Sequence, residues 1–455
     1  MINAKLLERT TNRTRLWNNN VVFLAALLAM PLAPSKGSGL QSLNDFLRHA
    51  KEHNFDNREA RALALQRAHE ASEAWARLFP SLSLQADNVR NQYLGAANIP
   101  TGEPAAGGIL PTRQVIITPT NQWDASISAT LPLVDLASWA DIGAASANRQ
   151  AQEARAEATE LDVQKTVART YYQLIGAIAV GRAARRTLAA ADDNARYIDT
   201  RSRAGLVLDL DLKRSLAEVE RDRQAIEDAD YSTITLRRSL ETLTGLRVED
   251  DSTSFSSDLP EDSLREESSL AEWMANLEKL PTVEAALHDQ EAADYTTSRT
   301  QAALYPSLSL QFTETATNAV GFGESPYHSV RLLASWKFDL SSSNSAKAQA
   351  AAAEATTARY DRARSTAADI LFNDWQAVRT QVAKSRAARS SLDASRAALS
   401  VARENYSSGK ATFLEVVQAE RDAFSAEVTD IQAQADLASA RAILRLSAGQ
   451  SLVTP

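Results

Sequence analysis

Short segments that alternate polar and apolar residues stand between long segments rich in alanine. Residues 81–85 read Ser-Leu-Ser-Leu-Gln, which puts Leu82 and Leu84 on one face and the polar residues on the other. The same alternation recurs in residues 125–133, 307–313 and 330–338. A period of two predicts strands that are apolar on one face only. Each of these four predicted strands has about the length of a tilted transmembrane β-strand.

The alanine-rich segments predict helices of two lengths. The shorter ones cover residues 43–78 and 283–304, and the longest cover 137–203 and 345–407. At 1.5 Å per residue each of the longest helices would run roughly 100 Å, which no globular domain accommodates. Apolar or small residues recur every seven positions along both, which predicts coiled-coil packing. These positions are Val167, Leu174, Gly181, Leu188 and Ala195, and Leu371, Val378, Leu392, Leu399 and Tyr406, with Ser385 as an interruption.

The residues that mark the strand starts and the helix ends occur twice in the chain. Gly205 and Gly409, at which the long helices are expected to turn back, are 204 residues apart, as are the predicted helix C-caps Gly245 and Gly449. The two Pro-Ser-Leu-Ser-Leu passages are instead 226 residues apart. The difference predicts an insertion of 22 residues in the first half, whose polar loop 91–121 is longer than the loop 318–327 of the second. Repeats that keep a constant spacing over this distance imply that one structural unit occurs twice in the chain.

The duplication suggests how the chain is divided. We expect a signal peptide and N-terminal segment at 1–35, a first repeat at 36–248, a polar equatorial linker at 249–280 and a second repeat at 281–455. Each repeat comprises a helix, a strand hairpin and a long helical hairpin. The apolar run 21–28 follows several basic residues and is too short to span a bilayer, as in a signal peptide. No other segment approaches eighteen apolar residues, so no transmembrane helix is expected in the mature chain.

The composition of the chain excludes several kinds of functional site. The chain of 455 residues has no cysteine, which excludes disulfides, thiolate metal sites and cysteine nucleophiles. An acyl anchor on an N-terminal cysteine is likewise not expected. The formal net charge of −8 argues against nucleic-acid binding. Attachment to a membrane would therefore come from the fold itself.

Four strands are too few to close a transmembrane barrel, because eight is the usual minimum. We therefore expect a barrel shared among copies of the chain under cyclic symmetry, and two, three or four copies satisfy this argument. The alternative is a small soluble sheet with a face covered by helices. In a barrel the lipid-facing residues would be Leu82, Leu84, Ile127, Leu131, Leu308, Leu310, Phe312, Leu332 and Trp336.

The order of these features resembles the TolC family of outer-membrane efflux and secretion channels. The resemblance rests on the strand starts Phe79-Pro-Ser-Leu-Ser-Leu84 and Tyr305-Pro-Ser-Leu-Ser-Leu310, the strand-to-helix passages Leu131-Pro-Leu-Val-Asp135 and Trp336-Lys-Phe-Asp339, and the turns Ala204-Gly-Leu-Val207 and Tyr406-Ser-Ser-Gly409. It covers almost the whole mature chain. No single motif is very specific, whereas their order, duplication and spacing together are.

The resemblance implies an α+β membrane protein and a homotrimer. Four strands per chain would form a twelve-stranded transmembrane β-barrel, continued by a long α-helical coiled-coil barrel in the periplasm. It implies a passive export duct in the outer membrane of a Gram-negative bacterium, with no cofactor and no catalysis. Its partners would be a periplasmic adaptor (membrane fusion) protein, the inner-membrane pump of a tripartite efflux or type I secretion system, and outer-membrane lipid. Many relatives carry an acylated N-terminal cysteine, so this chain resembles the unlipidated branch.

The two helix tips are where we expect partner contacts and gating. The turns expected to contact the adaptor contain Gly205, Leu206, Val207 and Gly409, and the expected gate residues are Asp209, Asp211, Tyr406, Lys410 and Glu415. Assembled carboxylates would favour cations or bridge neighbouring helices. Alternatively they only cap helices, since Thr412-x-x-Glu415 is a capping-box pattern and acids in a first turn complement the helix dipole. A hydrogen bond between Tyr406 and Asp211 would close the tip.

Arginine often follows the second tip glycine in the family that this chain resembles. Lys410 and Ala411 stand there in this sequence, so a bidentate arginine latch is not expected. The arginines at 182, 185, 186, 386 and 389 have helical spacing in an alanine-rich context, which favours a solvated outer face over an anion site.

Two further functions compete with the channel. A soluble periplasmic coiled-coil adaptor or scaffold would share the helical hairpins and the export signal, but it needs a compact β-domain that the pattern does not predict. A zinc hydrolase would use His49-Ala-Lys-Glu52-His53, which matches the inverted zinc-protease pattern with its histidines one helical turn apart. A solvated helix face is the simpler interpretation of those five residues.

Overall fold

The structure is a computed structural model that describes residues 42–102, 110–248, 267–337 and 340–452. The predicted signal peptide, most of the predicted linker, and Phe338 and Asp339 lie outside the described residues. The first half contains α1 (Leu43–His53), α2 (Phe55–Ala76), β1 (Ser81–Arg90), β2 (Gly95–Pro100), β3 (Thr112–Thr118), β4 (Asn121–Val134), α3 (Leu136–Arg203) and α4 (Asp209–Thr244). The second contains α5 (Leu270–Met274), a 3₁₀ turn (Leu277–Lys279), α6 (Pro281–Ala302), β5 (Ser307–Thr317), β6 (Tyr327–Ser335), α7 (Leu340–Ser407) and α8 (Phe413–Ser447).

The two long rods are confirmed. Helices α3 and α7 each contain 68 residues, so each is about 100 Å long. Heptad positions Val167, Leu174, Leu371 and Val378 are completely buried, as the seven-residue spacing predicts. Of the described helices, none is both long and apolar enough to cross a membrane.

Two predictions about the first half are wrong in detail. The segment 43–78 is two helices, because the Asn54 side chain caps α2 by accepting the Asp56 N–H at 2.9 Å and donates to the Leu243 carbonyl at 3.0 Å. The loop 91–121 is not irregular throughout. It contains β2 and β3, which form a separate antiparallel hairpin where the insertion was predicted.

The main sheet has the strand order β1-β4-β5-β6, with every neighbouring pair antiparallel. Its register sorts the side chains by polarity, since directly opposed residues share a face. Leu84 opposes Ile127, and Leu310 opposes both Leu131 and Leu332. On the other face Ser83 opposes Ser128, whose hydroxyl lies 3.1 Å from that of Thr313. Strands β1 and β6 are the edges of this sheet.

Buried apolar residues lie between the helices. Phe46, Leu47, Leu174 and Leu240 are fully buried in one cluster that joins α1, α3 and α4. Along its length α3 packs on α2 and α6 at one end and on α4 and α8 at the other. In the described part of the chain no helix packs extensively against either face of the main sheet. The sheet therefore contributes little to the core of a single chain.

Candidate functional site

The two helix tips form on glycines, as predicted. Gly205 has a φ of 72° and Gly409 a φ of 75°, in the left-handed region that favours glycine. The Leu206 N–H donates to the Arg201 carbonyl at 2.9 Å, and the Lys410 N–H to the Asn405 carbonyl at 2.8 Å. Both helices therefore end in the same kind of turn and reverse direction there.

The helices that leave the tips begin differently. In α8 the Thr412 hydroxyl accepts the Glu415 N–H at 3.4 Å, and the Glu415 carboxylate accepts the Thr412 N–H at 3.4 Å, so the predicted capping box is formed. In α4, Asp209 and Asp211 lie in the first turn, but the N-cap residue Leu208 offers no side-chain cap. Capping is thus one role of Glu415, and the gating role of the tip carboxylates stays a prediction.

A small apolar cluster joins the two tips. Ile198, Phe413 and Val417 are buried, and Val207, Leu212 and Tyr406 pack against them. The Tyr406 and Phe413 ring centroids lie 5.9 Å apart. Turn residues from both repeats therefore pack together as one unit.

The predicted bond between Tyr406 and Asp211 is not formed. In the described part of the chain the Asp211 carboxylate lies 3.7 Å from the Arg214 guanidinium, one helical turn along α4. Burial raises the pKa of Tyr406; the negative charge of Asp211 raises it further, whereas Arg201 lowers it. Burial is therefore the main reason why the pKa of Tyr406 is raised, and Asp211 adds to it without a hydrogen bond.

Large apolar side chains at the tips are exposed. The exposed fractions are 67% for Leu206, 68% for Leu208 and 51% for Leu414. Leu210, in the first turn of α4, is also exposed. A contiguous group of exposed apolar side chains typically marks a contact surface.

Behind the tips, arginines and glutamates join all four long helices. Glu218 of α4 accepts the Arg421 Nε of α8 at 3.0 Å from each carboxylate oxygen, and also pairs with Arg221. Glu420 of α8 pairs with Arg403 of α7 at 3.0 Å. These pairs hold α4 and α7 against α8.

A second carboxylate bridges three of these helices. Glu427 of α8 pairs with Arg186 of α3 at 2.8 Å and with Arg396 of α7 at 3.2 Å. Arg185 pairs with Asp230 of α4 at 2.5 Å. Arg185 and Arg186 are exposed, as the predicted solvated face requires, and both also pair with carboxylates on neighbouring helices.

Sequence reasoning missed this network, although a signal was present. Glu420 and Glu427 are seven residues apart, as are Arg396 and Arg403. Charges that recur once per heptad on opposing helices are typical of interhelical ion pairs. The heptad prediction considered only the apolar positions.

The network surrounds a cavity of about 410 Å³ that also has apolar walls, including Leu399 and Phe424. Asp222 of α4 lines it and is only 6% exposed. Its Oδ2 atom has no hydrogen-bond partner. Burial, followed by the charges of Glu218 and Glu420, raises the pKa of Asp222 to about 6, against the opposing effect of Arg221 and Arg421.

The histidine pair of the zinc pattern is part of α1. The His49 and His53 rings stack with centroids 5.5 Å apart, and His53 Nδ1 lies 3.2 Å from the His49 carbonyl oxygen. Over the ranges that the structure describes, no group of three or more His, Cys, Asp or Glu side chains is placed to hold a metal ion. Within these ranges, His49 and His53 therefore have no third side chain placed to complete a zinc site.

The predicted lipid-facing residues lie on one face of the sheet. Leu82 and Leu84 are 75% and 77% exposed, and Leu332 and Trp336 are also exposed. Strand register places all of the predicted strand positions on this face, with Trp336 directly after β6. The sheet therefore presents an apolar face that nothing in the described chain covers.

Comparison with known proteins agrees with this architecture. Residues 46–246 and 275–450 match the family described as outer membrane efflux protein. The match extends over most of the chain, and the chain belongs to that family. The protein is therefore an outer-membrane efflux protein rather than a soluble adaptor.

Solved structures of such channels share the fold. The outer-membrane channel OprN is 21% identical, with 90% of this chain and 91% of that chain covered and a TM-score of 0.71. VceC from Vibrio cholerae is 16% identical, with 90% and 96% covered and a TM-score of 0.71. The open state of MtrE from Neisseria gonorrhoeae is 19% identical, with 91% of each chain covered and a TM-score of 0.72. No curated protein matches the chain.

Proposed function

We propose that three copies of the chain close a twelve-stranded barrel, in which β6 of one copy pairs with β1 of the next. The observation that carries this proposal is the uncovered sheet, which has an apolar face and two open edges. Unpaired strand edges are costly in lipid, and closure of the sheet removes them. Three is the number of copies that the TolC resemblance implies.

Aromatic side chains at both ends of the strands support this placement. Near the helices the exposed aromatic residues are Phe79, Trp139, Tyr305 and Trp336, and near the loops they are Tyr93 and Trp123. Two aromatic girdles that flank an apolar band are characteristic of transmembrane barrels. Strands of this length, tilted as in known barrels, span about 25 Å.

The absence of cysteine allows a clean cross-linking test. Ser83→Cys on β1 is combined in turn with Ser329→Cys, Arg331→Cys or Leu333→Cys on β6, all on the polar face. At least one pair is expected to give covalent trimers on oxidation in membranes, because cross-strand neighbours approach within disulfide reach.

The matched control combines Ser83→Cys with Ser128→Cys, which oppose each other within one chain. It is expected to give only cross-linked monomer. The proposed trimeric barrel is wrong if this control forms its disulfide while every β1–β6 pair stays monomeric. It is also wrong if the largest covalent product contains two or four copies.

At the other end of the duct, the exposed leucines are the proposed adaptor contact. Leu206 and Leu208 offer apolar area at the turn itself, where a periplasmic adaptor linked to an inner-membrane pump would meet the helices. Leu206→Glu is expected to abolish co-purification with the adaptor, because a charge would be buried in the contact. Leu216→Glu, on an exposed position farther along α4, is the control that should retain it. Equal loss in both variants would argue against tip docking.

The tip carboxylates are the proposed ion filter of the entrance. Asp209 and Asp211 of each copy would converge when the copies assemble, and a ring of carboxylates favours cations. The double variant Asp209→Asn and Asp211→Asn is expected to lower the cation-to-anion permeability ratio measured from reversal potentials in planar bilayers. If the ratio does not change, the role of these two residues is confined to complementing the dipole of α4.

A further inference from the structure

Asp222 differs from the other carboxylates that line the charged cavity. Glu218, Glu420 and Glu427 are each paired with at least one arginine. Asp222 is more deeply placed than the arginines around it, and its Oδ2 has no partner. A buried carboxyl oxygen without a partner is costly when it is charged. The cavity thus contains one acid that its surroundings do not neutralise directly.

The duplication shows that the fold does not require an acid at this place. The equivalent position of α8, 204 residues farther along, is Ala426, which is 8% exposed. Both positions lie on the buried face of a returning helix. An alanine therefore satisfies the packing, and the carboxyl group of Asp222 adds a property that packing does not explain.

The position of Asp222 is also where α4 meets α8. The two helices contact each other directly along only a short stretch, whereas α3 packs on both. The bidentate pair between Glu218 and Arg421 spans that stretch. Asp222 lies one helical turn from Glu218, so both carboxyl groups face the same pair of guanidinium groups, Arg221 and Arg421.

Charged groups face Asp222 from every helix that borders the cavity. They are Glu218 and Arg221 on α4, Glu420, Arg421 and Glu427 on α8, Arg186 on α3, and Arg396 and Arg403 on α7. Each of these arginines is already paired with a glutamate. An ionised Asp222 must compete for them or reach water, while a protonated one leaves the existing pairs intact.

We propose that Asp222 is a proton-operated switch that controls the packing of α4 against α8. In its protonated form the Glu218–Arg421 pair holds the two helices together. In its ionised form, repulsion by Glu218 and Glu420 and the need for solvation separate them. The switch works within one chain, and only its consequence, a wider duct entrance at neutral than at acidic pH, rests on the proposed function.

The direction of the effect follows from proton linkage. In the packed helices the pKa of Asp222 is about 6, above the ordinary value of 3.8 that it would have in water. The packed form therefore binds the proton more tightly, and its proton-linked stabilisation is complete below the ordinary value. That stabilisation is lost as the pH rises through the pKa of the packed form. Raising the pH from about 5 to about 7.5 is expected to separate α4 from α8.

Distance measurement within the chain tests this switch. Gln224→Cys on α4 and Ser425→Cys on α8, both exposed, carry spin labels in the otherwise cysteine-free full-length protein in detergent. Pulsed electron paramagnetic resonance is expected to show a longer distance at about pH 7.5 than at about pH 5, with a midpoint near the pKa of Asp222. In Asp222→Asn, which cannot ionise, the short distance should persist at both pH values.

Two further variants complete the design. Asp430→Asn alters another buried acid, on α8, whose Oδ1 also lacks a partner; it should retain the pH response. Arg421→Ala removes the contact with Glu218 and should give the longer distance at both pH values. The proposal is overturned if the distance in the parent does not change with pH, or if Asp222→Asn and Asp222→Ala keep the pH response of the parent. Neither result depends on whether the strands close a barrel, which cross-linking tests separately.

Discussion

The two helical hairpins of the chain are nearly equal in size but differ in how their returning helices are held. Helices α3 and α4 contain 68 and 36 residues, and α7 and α8 contain 68 and 35. Both hairpins turn at a glycine of positive φ. Yet α8 begins with a capping box, whereas the N-cap residue of α4, Leu208, provides no side-chain cap. Helix α4 also buries Asp222 where α8 has Ala426.

This comparison separates what the duplication preserves from what it changes. The length of the rods and the conformation of the turns are common to both repeats, since they determine whether a hairpin forms. The differences lie at the start of α4 and in the charges that it buries, which determine how firmly an existing helix is fixed. The first hairpin is therefore the less firmly held of the two, and the following predictions test that difference.

The largest effect is expected from the core positions that correspond in the two repeats. Leu174 and Val378 occupy the same place, 204 residues apart, and both are fully buried. Leu174→Ala is expected to cost about 2–5 kcal/mol, because it empties part of the cluster around Phe46 and Leu240. Val378→Ala removes fewer carbon atoms and should cost roughly 1–3 kcal/mol. Thermal unfolding followed by circular dichroism compares them, and a larger loss for Val378→Ala would contradict this ranking.

A smaller effect is expected when the acid of the first hairpin is transplanted. Ala426→Asp should destabilise the packing of α8 by about 1–3 kcal/mol at neutral pH, since it buries a carboxyl group. The loss should shrink near pH 4, because the carboxyl group is then protonated. The reciprocal variant Asp222→Ala should instead stabilise α4 at neutral pH. Denaturant unfolding at both pH values gives the free energy of unfolding of the two variants. If Ala426→Asp loses as much stability at acidic pH as at neutral pH, steric clash rather than charge is responsible.

The smallest effect is expected at the helix starts. Thr412→Ala removes the cap of α8 and should cost about 1 kcal/mol. Leu208→Thr places a capping residue three positions before Asp211 and should stabilise the first turn of α4 by a somewhat smaller amount. Hydrogen exchange of the first-turn amides measures both changes locally. If the first turn of α4 already exchanges as slowly as that of α8, the first hairpin is not the looser one.

The features that the sequence predicted well are those set by neighbouring residues. The strands follow from a period of two at residues such as Leu82 and Leu84, and the rods follow from a heptad spacing that includes Leu174 and Leu371. The turns follow from glycines that adopt a positive φ. In each case the signal and the structure lie within a few residues of each other.

Two of the features that were missed depend on distant partners. The break at Asn54 is supported by the Leu243 carbonyl, 189 residues away. Arg421 meets Glu218 across 203 residues, so no local pattern reveals that pair. The β2–β3 hairpin was hidden by the glycine and proline residues that made the loop 91–121 look irregular. Tertiary contacts decided the first two cases, whereas the third is a local hairpin whose composition resembled that of a loop.

The open edges of the sheet have a consequence for how the protein is made. A newly exported copy can form its helical hairpins by itself, because the two long helices of each hairpin are consecutive in the chain. Its strands β1 and β6, however, expose unpaired backbone groups and an apolar face until other copies arrive. The rate of membrane insertion should therefore rise more steeply than linearly with the concentration of exported copies. A copy that has not yet assembled exposes strand edges on which other copies can aggregate.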